Sequence, residues 1–235
     1  MISVMELLYG IDLLLNKTAT NANQGYPIED KLLALNQAQI SLVKNKATDI
    51  TLGLDSNKKR YEELQILIEP HVLLPLNLDK KSKIPRYQCS ITGLTDYFMF
   101  VDMFCICSTR HCSNRTVKCF RVKHADIQSV LSNANTCPSF QYQETPVTTS
   151  KNQIEIYTDG NFSVNEAYLS FLRYPKKIDY EGYYHFDGTP STTVDCELPA
   201  FLKEEIINEA AEILAISSNN QIAANYTISK NKQDL

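Results

Sequence analysis

Four of the seven cysteines lie within fifteen residues of one another, and this cluster is the part of the sequence best suited to metal chemistry. Zinc is bound by four soft ligands in a tetrahedron, and its cysteines are commonly paired with two to four residues between them. Only one residue separates the first two cysteines, so no recognised zinc spacing is present. The spacing favours reduced, buried thiols, with a zinc site as the alternative. The candidate ligands are Cys105, Cys107, Cys112 and Cys119, with His111 and His124 nearby.

The residues around the first two cysteines have the alternating pattern of a β-strand. Side chains that are two residues apart on a strand point to the same face. Cys105 and Cys107 therefore share a face with Met103, while Phe104 and Ile106 occupy the opposite face. This arrangement is typical of a strand that packs on a core, and it requires no metal.

The sequence lacks the short motifs of common enzyme active sites. Its seven glycines form neither of the phosphate-binding patterns GxxxxGK and GxGxxG, and there is no GxSxG or HExxH motif. Among the four histidines, His185 lies in the segment YYHFDG, and a turn at Asp187-Gly188 explains this segment as well as a ligand role does. We therefore predict that the protein is not an enzyme and requires no cofactor.

The charged residues are unevenly distributed along the chain. A formal net charge of −4 argues against a dedicated nucleic-acid-binding protein. Residues 103–125 include five basic side chains and no acid, whereas acids dominate around the predicted C-terminal helix. We interpret these regions as the two complementary surfaces of a head-to-tail contact between subunits, with two independently solvated faces as the alternative. The interface candidates are Arg115, Lys118, Arg121 and Lys123 on the basic side and Glu204, Glu205, Glu209 and Glu212 on the acidic side.

Hydrophobic periodicity indicates the elements that would position these residues. Helical spacing dominates the N-terminal third, β-branched and aromatic residues mark strands in the middle, and Pro199 opens the last helix. Residues 132–152 are rich in Ser, Thr, Asn and Pro, which predicts a long loop. The predicted helices are 3–15, 27–46, 55–68, a short turn at 126–131, and 199–214, and the predicted strands are 71–78, 86–91, 97–107, 116–122, 153–157 and 164–174.

This layout predicts an α+β fold in a single structural unit. An N-terminal helical arm spans 1–70, a β-rich body built as a small barrel or sandwich spans 71–197, and a closing C-terminal helix with an extended tail spans 198–235. The polar tail has no evident apolar face, so we expect a neighbouring molecule to hold it. The apolar N-terminal segment is short and interrupted by Glu6 and Asp12, so no membrane association is expected.

Several segments lie near the two ends of the described pattern: KLLALNQAQ at 31–39, RYPKKI at 173–178, and DCELP at 195–199 followed by EEII at 204–207. Together they resemble segments of structural proteins of bacteriophages that infect gut Bacteroidales. The C-terminal part of the chain is similar to that of ring and connector proteins of crAss-like, short-tailed phages. The shared order is a strand, a proline, a loop, an ELP sequence and a helix that contains EII. The resemblance covers the two ends of the chain strongly and the middle in outline.

The resemblance implies a structural protein of the virion. Ring proteins of that family stack below the portal as twelvefold rings, extend the DNA channel towards the tail and dock other virion proteins. We therefore expect a homo-oligomer that contacts the portal or adjacent neck, tail or muzzle proteins and lets genomic DNA pass without sequence-specific binding. It would be assembled in the bacterial host cytoplasm and lie in the neck or tail of the particle. A zinc- or nucleic-acid-binding module that uses residues 105–124 is the alternative function.

Overall fold

The computed structural model describes residues 1–18, 25–51, 62–79, 84–185 and 187–217. Tertiary contacts divide the chain into two compact units. The helical unit comprises Met1–Leu67 together with Pro175–Leu235, and the sheet unit comprises Ile68–Tyr174. The combination of helices with an eight-stranded mixed sheet confirms the predicted α+β class.

Helices lie near the two ends of the chain, and strands fill the middle. A 3-10 helix at Gln65–Leu67 precedes the first strand, and another at Ala200–Leu202 runs into the last helix. Within the described ranges, no helix is long and apolar enough to cross a membrane. In chain order the other elements are α1 (Val4–Thr18), α2 (Ile28–Thr51), β1 (Ile68–Leu74), β2 (Leu76–Leu78), β3 (Arg86–Ser90), β4 (Tyr97–Ser108), β5 (Arg115–Arg121), α3 (Ile127–Ser132), β6 (Glu144–Ser150), β7 (Gln153–Tyr157), β8 (Ser163–Arg173) and α4 (Lys203–Ser217).

Residues from both ends of the chain hold the helical unit together. Helix α4 packs against α1 and α2. The Val4 amide at the start of α1 donates to Asp195 Oδ1 at 3.0 Å, which supplies a negative charge where a helix carries partial positive charge. Asn36 of α2 makes hydrogen bonds of 2.8 and 2.9 Å with the amide and carbonyl of Ile178. Residues 175–197, which the sequence pattern placed in the β-rich body, therefore group with the helices.

The strand order requires the sheet to curl. It is β1-β8-β4-β5-β6-β7-β3-β2, so β1 and β2 are the two edges. Only Pro75 separates these two strands along the chain, and one residue spans at most about 3.6 Å. Eight flat strands spaced about 4.8 Å apart would place the edges roughly 34 Å apart. The sheet therefore curls into a half-barrel, which is the form that the predicted β-rich body takes.

One strand lies inside the segment that was predicted to be a loop. β6 pairs in parallel with β5, whereas the other described strand pairs are antiparallel. A parallel pair needs a long crossover, and residues 122–143, which include α3, provide it. The loop prediction for 132–152 was wrong over β6 because Pro146 lies within the strand, a position that proline rarely takes in a sheet.

The inner face of the curled sheet forms the core of the sheet unit. Burial alternates along β5, where Val117 and Cys119 are buried while Thr116 and Lys118 are exposed. The same alternation on β4 confirms the predicted shared face of its methionine and cysteines. The core residues are Leu74, Cys89, Ile91, Phe100, Met103, Cys105, Cys107, Val117, Cys119, Val147, Ile154, Ile156, Phe162, Val164, Ala167, Leu169 and Phe171.

The observed boundaries differ from the predicted ones at a few places. Helix α2 continues to Thr51, beyond its predicted end. The predicted third helix was wrong at its end, because the chain forms a 3-10 turn and then enters β1 at Ile68. The earlier part of that helix, 55–61, lies outside the described residues, and so does the tail beyond Ser217.

Gly10 allows α1 to approach α4 closely. A Cβ atom at this position would collide with Cδ1 of Ile207, and two further carbons of Ile207 would lie 3.2 and 3.4 Å away. Because Ile207 is itself buried, it has little room to move. We predict that Gly10→Val lowers the free energy of unfolding by about 1–3 kcal/mol, measured by denaturant titration with circular dichroism. Gly93→Val is the control, because nothing lies within 4 Å of a Cβ there, and an equal loss in both variants would contradict the packing explanation.

Candidate functional site

The structure does not bring the four cysteines of the predicted cluster together. Cys105, Cys107 and Cys119 are buried on the inner face of the sheet, whereas Cys112 is exposed between β4 and β5. Cys105 Sγ lies 3.2 Å from Cys119 Sγ. Within the described part of the chain, no three His, Cys, Asp or Glu side chains converge in a way that could hold a metal ion. The two nearby histidines, His111 and His124, are exposed.

Two of the buried thiols, those of Cys105 and Cys107, are held in their protonated form. Burial, with a further contribution from the neighbouring Cys105, raises the pKa of Cys107 to about 12. The hydrogen bond with Cys119, together with burial, raises the pKa of Cys105 well above its ordinary value. Because the thiolate is the form that binds metal and attacks electrophiles, these cysteines are suited to packing.

The predicted basic residues do not form one continuous patch. Arg115 and Arg121 lie at opposite ends of β5, about 20 Å apart at the usual rise of a strand. The Arg115 guanidinium lies 5.4 Å from the ring centroid of Phe140, and that of Arg121 lies 5.9 Å from the centroid of Phe100. Cation–π contacts within the sheet unit therefore engage two of the four predicted basic interface residues.

Lys118 projects from the outer face of β5, where it is exposed. It makes no ion pair with any residue that the structure describes. Across the sheet, Lys118 is paired with Phe104 on β4. Phe104 is in turn paired with Tyr168 on β8, and Tyr168 is paired with Leu73 on β1. We call these four residues the outer row. The fourth predicted basic residue, Lys123, is also exposed and lies beyond the end of β5.

Ring contacts order the aromatic part of the outer row. Phe104 and Tyr168 stack with their centroids 5.1 Å apart and their planes inclined by 17°. The edge of His71 meets Phe104 at 5.2 Å. His71 has a φ of 52° and lies where the register of β1 on β8 shifts, so a bulge directs its ring onto this surface. Leu73 at the end of the row is 58% exposed, and the sequence analysis did not single out this surface.

The acidic side chains of α4 are partly engaged within their own unit. Glu205 forms an ion pair of 2.9 Å with Lys46 of α2. Lys46 also lies 2.9 Å from the carboxylate of Glu63, which is buried. The cation that opposes Glu205 comes from a helix distant in sequence, so the local excess of acids around α4 did not reveal it.

The remaining acids of α4 differ in exposure. Glu209 is half-buried, and burial raises its pKa above the ordinary value. Glu212 is also half-buried. Glu204 is exposed, and none of the described residues forms an ion pair with it. Of the four predicted acidic interface residues, Glu204 is therefore the one that is exposed and forms no ion pair with a described residue.

One carboxylate organises the segment that contains His185. Asp179 Oδ1 accepts hydrogen bonds from the Tyr183 hydroxyl at 2.6 Å and the Tyr180 amide at 2.9 Å, and Asp179 Oδ2 lies 3.1 Å from His185 Nε2. Partial burial raises the pKa of Asp179, but the bonds from Tyr183, Tyr180 and Thr192 outweigh it and lower the pKa below its ordinary value. The His185 ring also meets the Tyr183 ring edge to face at 5.2 Å, so the arrangement is a clasp that holds a turn.

A second carboxylate network joins neighbouring strands of the sheet. Glu155 Oε2 accepts hydrogen bonds from the Tyr157 hydroxyl at 2.9 Å, from Arg86 at 3.2 Å and from Thr148 at 3.4 Å. Two nitrogens of Arg86 each lie 2.8 Å from Asp79 Oδ2. Because each charge in the network has a partner, the network is suited to holding β3, β6 and β7 together.

A depression of about 390 Å³ opens at one end of the curled sheet. Its lining includes Ser108, Arg110, Tyr87 and Phe162. Ser108 Oγ already accepts hydrogen bonds from the Asn165 side chain at 2.6 Å and from a backbone amide at 3.2 Å. Ser108 Oγ therefore ties the turn between β4 and β5 to strand β8.

A comparison with models of known protein families finds no match, and a comparison with curated proteins finds none either.

Zinc content tests the placement of the cysteines. Since three of the candidate thiols face the core while Cys112 lies in an exposed turn, we predict less than one zinc ion in about ten chains after purification with zinc present. Elemental analysis by inductively coupled plasma mass spectrometry measures this ratio, with Cys112→Ser as the matched variant. One zinc ion per chain in the natural protein, lost in Cys112→Ser, would show that the cluster is a metal site.

The Asp179 clasp predicts a pH-dependent stability. Because its pKa in the folded protein lies below the ordinary 3.8, Asp179 stabilises the fold at pH values above about 4, and the contribution is lost as the pH falls through the folded-state value. We predict that Asp179→Asn is less stable than the natural protein at pH 7 and that the difference shrinks below pH 4. Denaturant titrations at about pH 7, 5 and 3 measure it. Exposed Asp126→Asn is the control, and a pH-independent difference for Asp179→Asn would refute the assignment.

Proposed function

We propose that the protein is a structural subunit of a bacteriophage particle and assembles head-to-tail into a ring of the neck or tail barrel. The observation that carries the proposal is a pair of exposed, opposite charges on different units, Lys118 on the sheet and Glu204 at the start of α4. Neither charge has an ion-pair partner among the described residues. A closed ring requires two different, complementary surfaces on each subunit, and these residues mark such surfaces.

The proposed role of these charges is to select the partner surface and set its register. An exposed ion pair adds little affinity, because both side chains are well solvated before contact. Like charges brought together during a wrong encounter are unfavourable, so opposed charges exclude incorrect arrangements. Most of the binding free energy must therefore come from apolar groups beside the charges.

The particle context of the proposal comes from the resemblance of the two chain ends to ring and connector proteins of crAss-like phages. In this context the ring lies below the portal and contacts portal, neck, tail or muzzle proteins. A net charge of −4 suits a conduit for DNA, because fixed lysines and arginines would bind its phosphates. A structural role is also consistent with the carboxylate networks of Asp179 and Glu155, because these networks hold a turn and neighbouring strands.

The full-length chain provides the direct test of ring assembly. We predict that sedimentation velocity at increasing protein concentration shows one discrete oligomer, and that negative-stain images show closed rings. Raising the ionic strength from about 0.1 M to about 1 M shortens the screening length from roughly 10 Å to 3 Å. The attraction between the opposite charges then weakens, so the dissociation constant of the oligomer should rise.

Two results would contradict the proposal. A chain that stays monomeric at every concentration has no head-to-tail contact. Open filaments would show a contact whose rotation does not close, which excludes a ring.

A further inference from the structure

We infer that Cys105 and Cys119 form a reversible disulfide between strands β4 and β5 when the chain meets a peroxide. The two sulfur atoms lie 3.2 Å apart in the reduced chain. A disulfide bond is about 2.05 Å long, so the sulfurs have to approach by little more than about 1 Å. The inference concerns the sheet unit alone and does not depend on ring assembly.

The register of β4 and β5 brings the two cysteines to the same place on the inner face of the sheet. These strands are antiparallel, and Cys105 lies opposite Val117. Cys119 lies opposite Met103, so the two cysteines are diagonal neighbours rather than a directly paired couple. Both side chains are completely or almost completely buried, and their sulfurs share a hydrogen bond.

The diagonal register makes the inferred bond a strained one. In an antiparallel pair, the Cα atoms of diagonal neighbours are about 7–8 Å apart. A disulfide joins Cα atoms that are usually at most about 6.8 Å apart, so the two strands have to move towards each other when the bond forms. Strain of this kind makes a disulfide easier to reduce, so the bond is a reversible link and not a permanent one.

Burial keeps the pair reduced until a small oxidant reaches it. The hydrogen bond with Cys119 and burial raise the pKa of Cys105, so little of its nucleophilic thiolate is present. Hydrogen peroxide is small and uncharged, and it can enter when the strands open locally. Oxidation is therefore slow, but the first sulfur to react has the second one in contact with it.

The reaction is the oxidation of two thiols by one molecule of hydrogen peroxide. One sulfur attacks the peroxide, so that a sulfur–oxygen bond forms, the oxygen–oxygen bond breaks and a first water leaves. The second sulfur displaces the hydroxyl group of this sulfenic acid, which forms the disulfide and releases a second water. The two sulfurs lose two electrons to the peroxide, and the two thiol protons leave in the water molecules.

Mass spectrometry of the full-length chain tests the bond. The folded, reduced chain is alkylated to cap exposed Cys112, treated with hydrogen peroxide and alkylated again in denaturant. We expect most chains to lose two hydrogen atoms and to take up two fewer alkyl groups in the last step than untreated chains. Digestion without a reductant should give a linked peptide pair that contains Cys105 and Cys119. Dithiothreitol added without denaturant should restore both thiols.

Single substitutions assign the bond to these two sulfurs. Cys105→Ala and Cys119→Ala should each abolish the crosslink. Cys107→Ala is the matched control, because Cys107 is buried in the same core two residues from Cys105, and it should leave the yield of crosslink unchanged. Circular dichroism checks that the variants are folded, and fragmentation of the linked peptides from the natural chain assigns the bond without any variant.

The outcomes decide the inference independently of the proposed function. A crosslink that is lost in both alanine variants, kept in Cys107→Ala and reversed by dithiothreitol supports it. Oxygen atoms added to the chain without a crosslink, or Cys119 linked equally to Cys107 or Cys89, would overturn it. Ring assembly is measured separately by sedimentation, so the failure of one proposal leaves the other in place.

Discussion

The covalent link of β1 to β2 through Pro75 determines which side chains the sheet hides and which it displays. Because the two edges of an eight-stranded sheet are joined by one residue, the sheet closes towards itself and has a narrow inner face. A narrow interior is filled by a mixture of large and small side chains. Small side chains such as Cys89, Cys105, Cys119 and Ala167 meet this requirement and are completely or almost completely buried. The burial of Cys105, Cys107 and Cys119 is thus explained by the volume available inside the curl, whereas Cys112 lies outside it.

The same curl puts the outer row on display. Strands β1, β8, β4 and β5 are consecutive in the sheet, so residues of equal register form a line across it. Bulges and shifts in register occur in the pairs that β8 makes with β1 and β4, and one of them places His71 against Phe104. In the helical unit, Glu205 forms an ion pair with Lys46, whereas Glu204 faces solvent. Both units therefore retain a defined exposed surface after their internal contacts have been made.

Local sequence patterns predicted most of the elements and the α+β class but not β6 or the end of the third helix. The alternation on β4 correctly placed Cys105 and Cys107 on one buried face, because a strand's side-chain period is a local property. The strand β6 was missed because Pro146 interrupts the residue pattern that is typical of a strand. In the structure Pro146 nevertheless lies within β6, paired with Phe120 of the parallel strand β5.

Contacts between distant segments could not be found in this way. Lys46 meets Glu205 across two helices, and the capping carboxylate of α1 comes from Asp195 near the other end of the chain. The outer row likewise depends on register across four strands. The predicted interface residues were identified from charge alone. The fold shows which of these charged side chains already make contacts within the chain, such as Glu205, and which are exposed, such as Glu204.

The central claim is that one copy's Glu204 surface binds a different surface, that of Lys118, on the next copy. Mixing two full-length variants tests this most directly, with Glu204→Lys in one and Lys118→Glu in the other, followed by sedimentation velocity. Each variant alone should remain largely monomeric, whereas the equimolar mixture should form rings, because every contact then joins opposite charges. A mixture that stays monomeric while the natural chain assembles would contradict the account, as would single variants that assemble normally.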